Sequence, residues 1–100
     1  MNMQQMVQAM QKTQRMYEKE HAILEQKEFS YTANSAIKLT LKGDMSFVSL
    51  EFLEPSMLEE DNAEMIADII KIAYEEIRNQ ILDEEDKLAE KFKTPGGLGF

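Results

Sequence analysis

Two long helical patterns flank a short segment of period two, and their lengths constrain the fold of this 100-residue chain. Residues 2–26 and 62–93 contain no Gly or Pro. Apolar side chains recur in both at spacings of three, four and seven, which is typical of amphipathic helices. At about 1.5 Å per residue the helices would measure roughly 37 and 48 Å, whereas a compact domain of this size is roughly 35 Å across. Both helices must therefore extend beyond any sheet on which they pack.

The first helix is predicted to have an apolar face and a basic face. At about 100° per residue, the two sets of side chains fall on nearly opposite sides of the helix. Met16 and Ile23 depart from this division, because both fall near the basic side. The apolar stripe consists of Met3, Met6, Val7, Met10, Tyr17 and Leu24, and the basic, glutamine-rich face consists of Gln8, Lys12, Arg15, Lys19 and Gln26.

The segment between the helices alternates with a period of two, which predicts three strands. Residues 29–31 begin the first strand, and Asn34-Ser35 supplies a turn. Residues 37–42 form a second, half-buried strand, Gly43-Asp44 marks a tight reversal, and the third strand is predicted from Met45 to Leu53. Short connections favour an antiparallel meander. In the second strand the inward positions are Ile37, Leu39 and Leu41, and the outer, basic face holds Lys38, Thr40 and Lys42.

The second helix is predicted from about Asn62 to Lys93. Residues 54–56 (Glu-Pro-Ser) end the sheet, and Asp61 with Glu64 three residues later resembles a capping box. Pro95 and Gly96 end the helix. The predicted fold class is therefore α+β, with a helix, three antiparallel strands and a helix (αβββα). We expect residues 1–93 to form one domain and residues 94–100 to form a flexible, Gly-rich C-terminal tail.

The excess length of the helices also predicts the oligomeric state. Their apolar stripes extend past the sheet and require another surface to cover them. A two-fold partner is the commonest solution in soluble proteins. The sequence therefore predicts a homodimer with projecting helices.

Composition argues against an enzyme, a cofactor and a metal site. The chain has no Cys and a single His, so thiol chemistry and thiolate ligation are excluded. His21 lies one turn from Tyr17 and from Glu25, but without a nucleophile it is better explained as a surface histidine. The acidic run 83–86 lacks EF-hand spacing, and no helix follows the glycines of 96–99 to form a phosphate site. No apolar run approaches the length of a membrane span or resembles a signal peptide, so we expect a cytoplasmic protein. Because no catalytic constellation is present, we also expect no small-molecule substrate.

Charge is distributed unevenly along the chain. The net charge is −8. Residues 1–42 hold six basic and four acidic residues, a net charge of +2, whereas residues 43–100 hold five basic and fifteen acidic residues, a net charge of −10. Such asymmetry indicates separate electrostatic roles for the two parts.

The basic stripe of the first helix, defined as Lys12, Arg15 and Lys19, is the most informative charge feature. The three side chains share one face over two helical turns, a spacing that can follow the phosphates of a duplex. The alternative is a solvated face with weak intrahelical ion pairs such as Arg15–Glu18. From the residues alone, both interpretations stay open.

Several short motifs, in order along the whole chain, resemble the YbaB/EbfC nucleoid-associated proteins of bacteria. The chain opens with Met-Asn-x-Gln-Gln-Met and a helix rich in Gln, Met and Lys, and Gly43 precedes the third strand. Residues 54–58 (Glu-Pro-Ser-Met-Leu) are similar to the family's Asp-Pro-Ser-Leu-Leu segment. Residues 64–70 are similar to its Glu-Met-Leu-x-Asp-Leu-Ile helix opening, and residues 96–99 match its Gly-Gly-Leu-Gly tail.

The resemblance implies an αβββα fold, a tweezer-shaped homodimer and sequence-tolerant binding of duplex DNA in the bacterial cytoplasm, with no enzymatic activity or cofactor. The chain departs from the family pattern at three places. Its third strand is one residue longer than in the family, Glu75 stands where Asn is typical, and the glycine-rich turn of the family is reduced to residues 33–35. A rival interpretation is a protein-interaction adaptor of the same fold. The predicted DNA contacts are Lys12, Arg15 and Lys19, with Lys87, Lys91 and Lys93 as secondary candidates.

Overall fold

A computed structural model describes residues 2–92, so Lys93, the predicted helix stop at Pro95-Gly96 and the predicted tail at 94–100 lie outside the described residues. The order of elements is helix, three strands and helix, which confirms the predicted αβββα fold. Two short 3-10 turns, Pro55–Met57 and Glu60–Asn62, connect the sheet to the second helix. The elements are α1 (Met3–Gln26), β1 (Glu28–Ala33), β2 (Ile37–Lys42), β3 (Phe47–Phe52) and α2 (Ala63–Lys91).

The three strands form an antiparallel sheet in the order β1-β2-β3. The β1–β2 hairpin turns at Asn34 and Ser35, whose φ angles of 52° and 54° lie in the left-handed region. The amide of Ala36 donates to the carbonyl of Ala33 at 3.0 Å and closes the turn. Positive φ at both central residues is the condition for a type I′ turn, whose twist matches that of the flanking strands. The predicted turn at Asn34-Ser35 is thus confirmed.

The third strand begins two residues later than predicted. Met45 has φ 71° and belongs to the turn, where its amide donates to the carbonyl of Lys42 at 2.8 Å. The predicted start at Met45 is therefore wrong, because a residue in the left-handed region cannot continue a strand. A register shift next to Thr40 then places Leu41 opposite Phe47, so that Val48 is the extra residue of a bulge.

The β2–β3 turn also joins the sheet to the end of α1. Gly43 donates its amide hydrogen to the carbonyl of Lys27 at 2.9 Å, and Asp44 donates to the carbonyl of Glu25 at 3.2 Å. A Cβ atom on Gly43 would overlap the backbone carbonyl of Leu24. The Asp44 carboxylate accepts from the amide of Ser46 at 2.9 Å. The side chain and amide of Ser46, as donors, lower the pKa of Asp44.

One face of the sheet and α2 form the hydrophobic core. Helix α2 packs mainly on β1 and β2, and Ile37, Ala73 and Ile77 are fully inaccessible to solvent. Helix α1 contributes Leu24 as its single buried residue. The remaining core residues are Phe29, Ala33, Ala36, Leu39, Leu41, Ile69 and Ile81.

The predicted capping box at the start of α2 is wrong. The helix begins at Ala63, and its N-cap residue Asn62 makes no side-chain cap. Asp61 belongs to the preceding 3-10 turn and not to the N-cap position. The side-chain amide of Asn62 donates to the carbonyl of Met57 at 3.1 Å. A capping box does form at the start of α1, where the Asn2 side chain accepts from the amide of Gln5 at 2.8 Å and the Gln5 side chain accepts from the amide of Asn2.

The molecule is elongated because the helices extend past the sheet. Its principal extents are 69 × 20 × 16 Å and its radius of gyration is 19.7 Å, against about 13 Å for a compact domain of this length. This confirms that the helices project. Neither helix in the described part of the chain combines the length and the apolar character that a membrane span requires.

Substitution of Gly43 by Ala tests the junction between α1 and the sheet. The added methyl group must displace the backbone of Leu24, so we expect the free energy of unfolding to fall by about 2 kcal/mol. Urea denaturation measures this change. Ser46→Ala, which leaves that contact intact, serves as the control, and an equal loss in both variants would contradict the proposed steric origin.

Candidate nucleic-acid interface

The N-terminal part of α1 projects as an isolated arm. Every residue from 2 to 12 is exposed, and the first buried residue of the helix is Leu24. Isolated helices of this length are marginally stable in water, so the capping box at Asn2 and Gln5 compensates in part for the missing tertiary contacts. The first four residues of the predicted apolar stripe are exposed, and no described residue of the chain buries them, whereas its last residue, Leu24, is buried. The four are Met3, Met6, Val7 and Met10.

The base of the arm packs antiparallel against the C-terminal part of α2. The rings of Tyr17 and Phe92 meet edge to face with their centroids 5.8 Å apart. Lys91 Nζ donates to Glu20 Oε1 at 2.7 Å, and Lys27 Nζ donates to Glu84 Oε1 at 3.2 Å. The ion pairs are partly exposed and therefore weakly stabilising. Phe92 is 93% buried and contributes most through its apolar surface.

The basic stripe lies on the arm and is free of internal ion pairs. Lys12, Arg15 and Lys19 are all exposed, and none of them forms an ion pair with another residue between 2 and 92. The anticipated Arg15–Glu18 pair is absent from this range, because Glu18 accepts a hydrogen bond from the side-chain amide of Gln14 at 3.2 Å. The three cations are therefore available to an external anion.

The secondary candidates have a different environment. Lys87 Nζ lies 3.0 Å from Asp83 Oδ2, and this hydrogen bond raises the pKa of Lys87. Lys91 is paired with Glu20 across the two helices, and Lys93 lies outside the described residues. Lys87 and Lys91 are thus partly neutralised by carboxylates, and they lie beside a helix segment with a net negative charge.

The outer face of β2 carries the two predicted lysines, each opposite an acidic residue of a neighbouring strand. Lys42 lies opposite Glu28, and Lys38 lies opposite Glu51, which are favourable cross-strand charge pairs. Each lysine of β2 thus has one acidic neighbour across the strands, which reduces the positive charge of this face. Neither forms an ion pair with another residue between 2 and 92, and Lys42 Nζ donates to Gln26 Oε1 at 3.2 Å.

His21 is oriented by its neighbours on α1. Its ring stacks on Tyr17 with centroids 5.7 Å apart, and its Nδ1 lies 3.0 Å from Glu25 Oε1. Among the described residues, no cluster of three or more His, Asp or Glu side chains is placed to hold a metal ion. The neighbours of His21 on the helix account for its orientation.

The inner face of β3 is an apolar surface that the sequence did not identify. Phe47, Leu50 and Phe52 pair with Leu41, Leu39 and Ile37 and so lie on the core side of the sheet. However, Phe47 is 66% exposed, and Leu50 and Phe52 are only partly buried. Alternation predicted the inward side chains of β2 alone. It could not indicate that the bulge at Val48 brings Phe47 to the same face as Leu50 and Phe52, or that α2 packs mainly on β1 and β2.

Comparison with known proteins identifies similar sequences over nearly the whole chain. The model of the YbaB/EbfC DNA-binding family matches residues 1–97. A nucleoid-associated protein of Alkaliphilus metalliredigens (strain QYMF) is 33% identical over 99% of this chain and 85% of the relative. A nucleoid-associated protein of Malacoplasma penetrans (strain HF-2) is 26% identical over the full length of both chains.

A solved structure has the same fold. The crystal structure of an uncharacterized protein from Helicobacter pylori aligns with a TM-score of 0.71, covering 91% of this chain and 96% of the other. The two sequences are 14% identical, so the similarity concerns the fold alone.

Substitution of Phe92 by Ala tests how the arm is held. Loss of a buried aromatic ring costs about 3 kcal/mol or more, and here it removes the contact with Tyr17. We expect a lower free energy of unfolding and faster hydrogen exchange of the amides of residues 14–24. Phe92→Leu, which retains apolar volume, should lose less. Unchanged exchange in the Ala variant would contradict a role of Phe92 in holding α1.

Proposed function

The chain belongs to the YbaB/EbfC DNA-binding family, and on this premise we propose that it is a homodimeric nucleoid-associated protein that binds duplex DNA with little sequence specificity. Contacts to backbone phosphates supply affinity without reading the bases. Such a protein acts in the nucleoid, within the bacterial cytoplasm, and influences nucleoid organisation and gene expression. The family is described by DNA binding rather than by catalysis.

The observation that carries the proposal is the unpaired basic stripe on the projecting arm. Lys12, Arg15 and Lys19 share one helix face and have no carboxylate partner among the described residues. From Lys12 to Lys19 the stripe spans about 10 Å. Arg adds a planar donor group that binds phosphate through two hydrogen bonds, and Lys adds point charges. Lys12 and Arg15 thus lie on the projecting part of α1, and Lys19 lies on its exposed face beside the end of α2.

The remaining candidates have a smaller role in this proposal. Lys87 and Lys91 must exchange a carboxylate partner for a phosphate, so their net contribution to affinity is small. Lys93 follows them in sequence and is also a proposed contact. The acidic residues of α2 repel DNA, so they orient the protein with α1 toward the duplex and keep the affinity moderate.

The proposed dimer depends on the apolar surface at β3. Strand β3 is an edge strand with one unpaired side, and its core-facing Phe47 is largely exposed. An exposed apolar edge strand promotes association with another chain. A second copy placed against this surface would bury it and bring two arms into one particle, which doubles the number of cations that bind one duplex.

Removal of the basic stripe tests DNA binding. The variant Lys12→Gln, Arg15→Gln and Lys19→Gln should bind unrelated duplexes more weakly, and to the same extent for each sequence, because phosphate contacts do not read bases. The logarithm of the binding constant falls with the logarithm of salt concentration by about 0.9 per phosphate neutralised. For the triple variant we therefore expect the slope of the logarithm of the binding constant against the logarithm of salt concentration to be shallower by about 3 for each bound arm. Fluorescence anisotropy over a salt series measures both.

The matched control is Lys38→Gln, Lys71→Gln and Arg78→Gln, which removes the same charge from the sheet and from α2. This control should retain most of the affinity and nearly the whole salt slope. If both triple variants lose affinity equally, only net charge matters and the stripe is not the interface. If the first variant binds like the parent protein, the stripe is a solvated face.

Substitution of Phe47 by Glu tests the dimer. We expect light scattering at micromolar concentration to give twice the chain mass of 11.6 kDa for the parent protein. A buried charge at the interface should shift the variant to the monomer mass. Ile23→Glu is the control, because Ile23 is exposed to a similar extent, 62% against 66% for Phe47. A monomeric parent protein would refute the proposed dimer.

The alternative is a protein-interaction adaptor of the same fold without a direct role in nucleic-acid binding. The exposed Met-rich stripe at the start of α1 favours it, since Met side chains adapt to varied apolar partners. Capture of partners from a lysate treated with nuclease distinguishes the two functions. A partner that is retained after removal of DNA, together with no binding of purified duplex at low salt, would support the adaptor.

A further inference from the structure

Apolar and cationic side chains alternate along one ridge of α1. The ridge consists of Lys12, Met16, Lys19 and Ile23, at successive spacings of four, three and four residues. Such spacings keep the four side chains on one side of the helix. Met16 is 49% exposed and Ile23 is 62% exposed. Two apolar side chains thus lie within the proposed DNA-binding face, and the proposed phosphate contacts do not involve them.

The face around the ridge has no exposed carboxylate oxygen without a partner: Glu20 Oε1 is paired with Lys91, and Glu20 Oε2 is buried. Arg15 and the amide side chains of Gln8 and Gln26 lie within about 60° of it. Glu20, the nearest acidic residue on its flank, is paired with Lys91. The surface therefore combines positive charge, amide donors and acceptors and two apolar side chains. This chemistry matches a polyanion that also presents apolar groups between its charges.

The dimensions of the helix indicate which part of a duplex the ridge contacts. An α-helix with side chains is about 10–12 Å wide. The major groove of B-DNA is about 12 Å wide and admits one helix, whereas the minor groove is about 6 Å wide. From Tyr17 onward α1 is packed against α2. The residues of that contact lie about 90° around the helix from the ridge, so α2 flanks the ridge and does not cover it. The major-groove floor carries the methyl groups of thymine, which are its exposed apolar groups. The ridge from Lys12 to Ile23 spans about 16 Å of this floor.

We propose, on the basis of the DNA-binding function proposed above, that α1 lies in the major groove and that Met16 and Ile23 contact thymine methyl groups. Lys12, Arg15 and Lys19 extend to the phosphates along the groove walls. The apolar contacts add a salt-independent part to the affinity, because they release no counterions. They also produce a preference for thymine-containing duplexes, and its size stays limited because Met and Ile side chains form no directional bonds to base edges.

The experiment compares two duplexes that differ in the methyl group alone. One contains thymine, and the other contains uracil at every thymine position. For the parent protein we expect the uracil duplex to bind about fourfold more weakly for each methyl group buried, the value for one CH2 group. The variant Met16→Gln and Ile23→Gln should bind both duplexes equally and retain the salt slope of the parent protein. Fluorescence anisotropy gives the ratio of the two affinities.

The control is Met6→Gln with Met10→Gln, on the opposite face of the same helix, where the exposed fractions are 44% and 46%. This variant should keep the thymine-to-uracil ratio of the parent protein even if its overall affinity changes. Equal binding of both duplexes by the parent protein overturns the inference and leaves the proposed DNA binding intact. An unchanged ratio in the Met16 and Ile23 variant also overturns it. Absence of binding to either duplex at low salt would instead refute the proposed function.

Discussion

The contact between the end of α1 and the β2–β3 turn determines where the side chains of α1 lie. Gly43 permits the turn to approach the backbone of Leu24, and hydrogen bonds from Gly43 and Asp44 join the turn to Lys27 and Glu25. The helix is therefore fixed at its C-terminal end. Everything N-terminal to Tyr17 extends away from the sheet, because α2 reaches no farther than Phe92 in the described chain.

This attachment separates the charges of the molecule in space. Carboxylates of α2 pair with Lys27 and Lys87, and Lys91 pairs with Glu20. The arm beyond these pairs holds three cations and, in Glu18, one carboxylate that is bonded to Gln14. Local electrostatics near a surface are governed by charges within about 10 Å at moderate salt. A chain with a net charge of −8 can therefore present a surface that attracts a polyanion.

Much of the fold was predictable because it depends on local patterns. The period of 3.6 located both helices, and the period of two located the strands and the inward side chains of β2. The predictions were wrong where the same local residue pattern is compatible with two different backbone structures. Met45 fits the alternation of β3, yet its left-handed backbone completes the turn. Asp61 and Glu64 fit a capping box, but a 3-10 turn precedes α2 and Asn62 bonds to Met57.

The sequence by itself determined the elements, the two-faced character of α1 and the grouping of Lys12, Arg15 and Lys19, since all of these follow from spacing along one helix. Only the tertiary structure decided which lysines are available, because the pairs of Lys27 with Glu84 and of Lys91 with Glu20 join residues far apart in sequence. It also decided that α2 leaves the inner face of β3 open. Pairing and coverage depend on how elements are placed in space, and the period of a sequence carries no information about that placement.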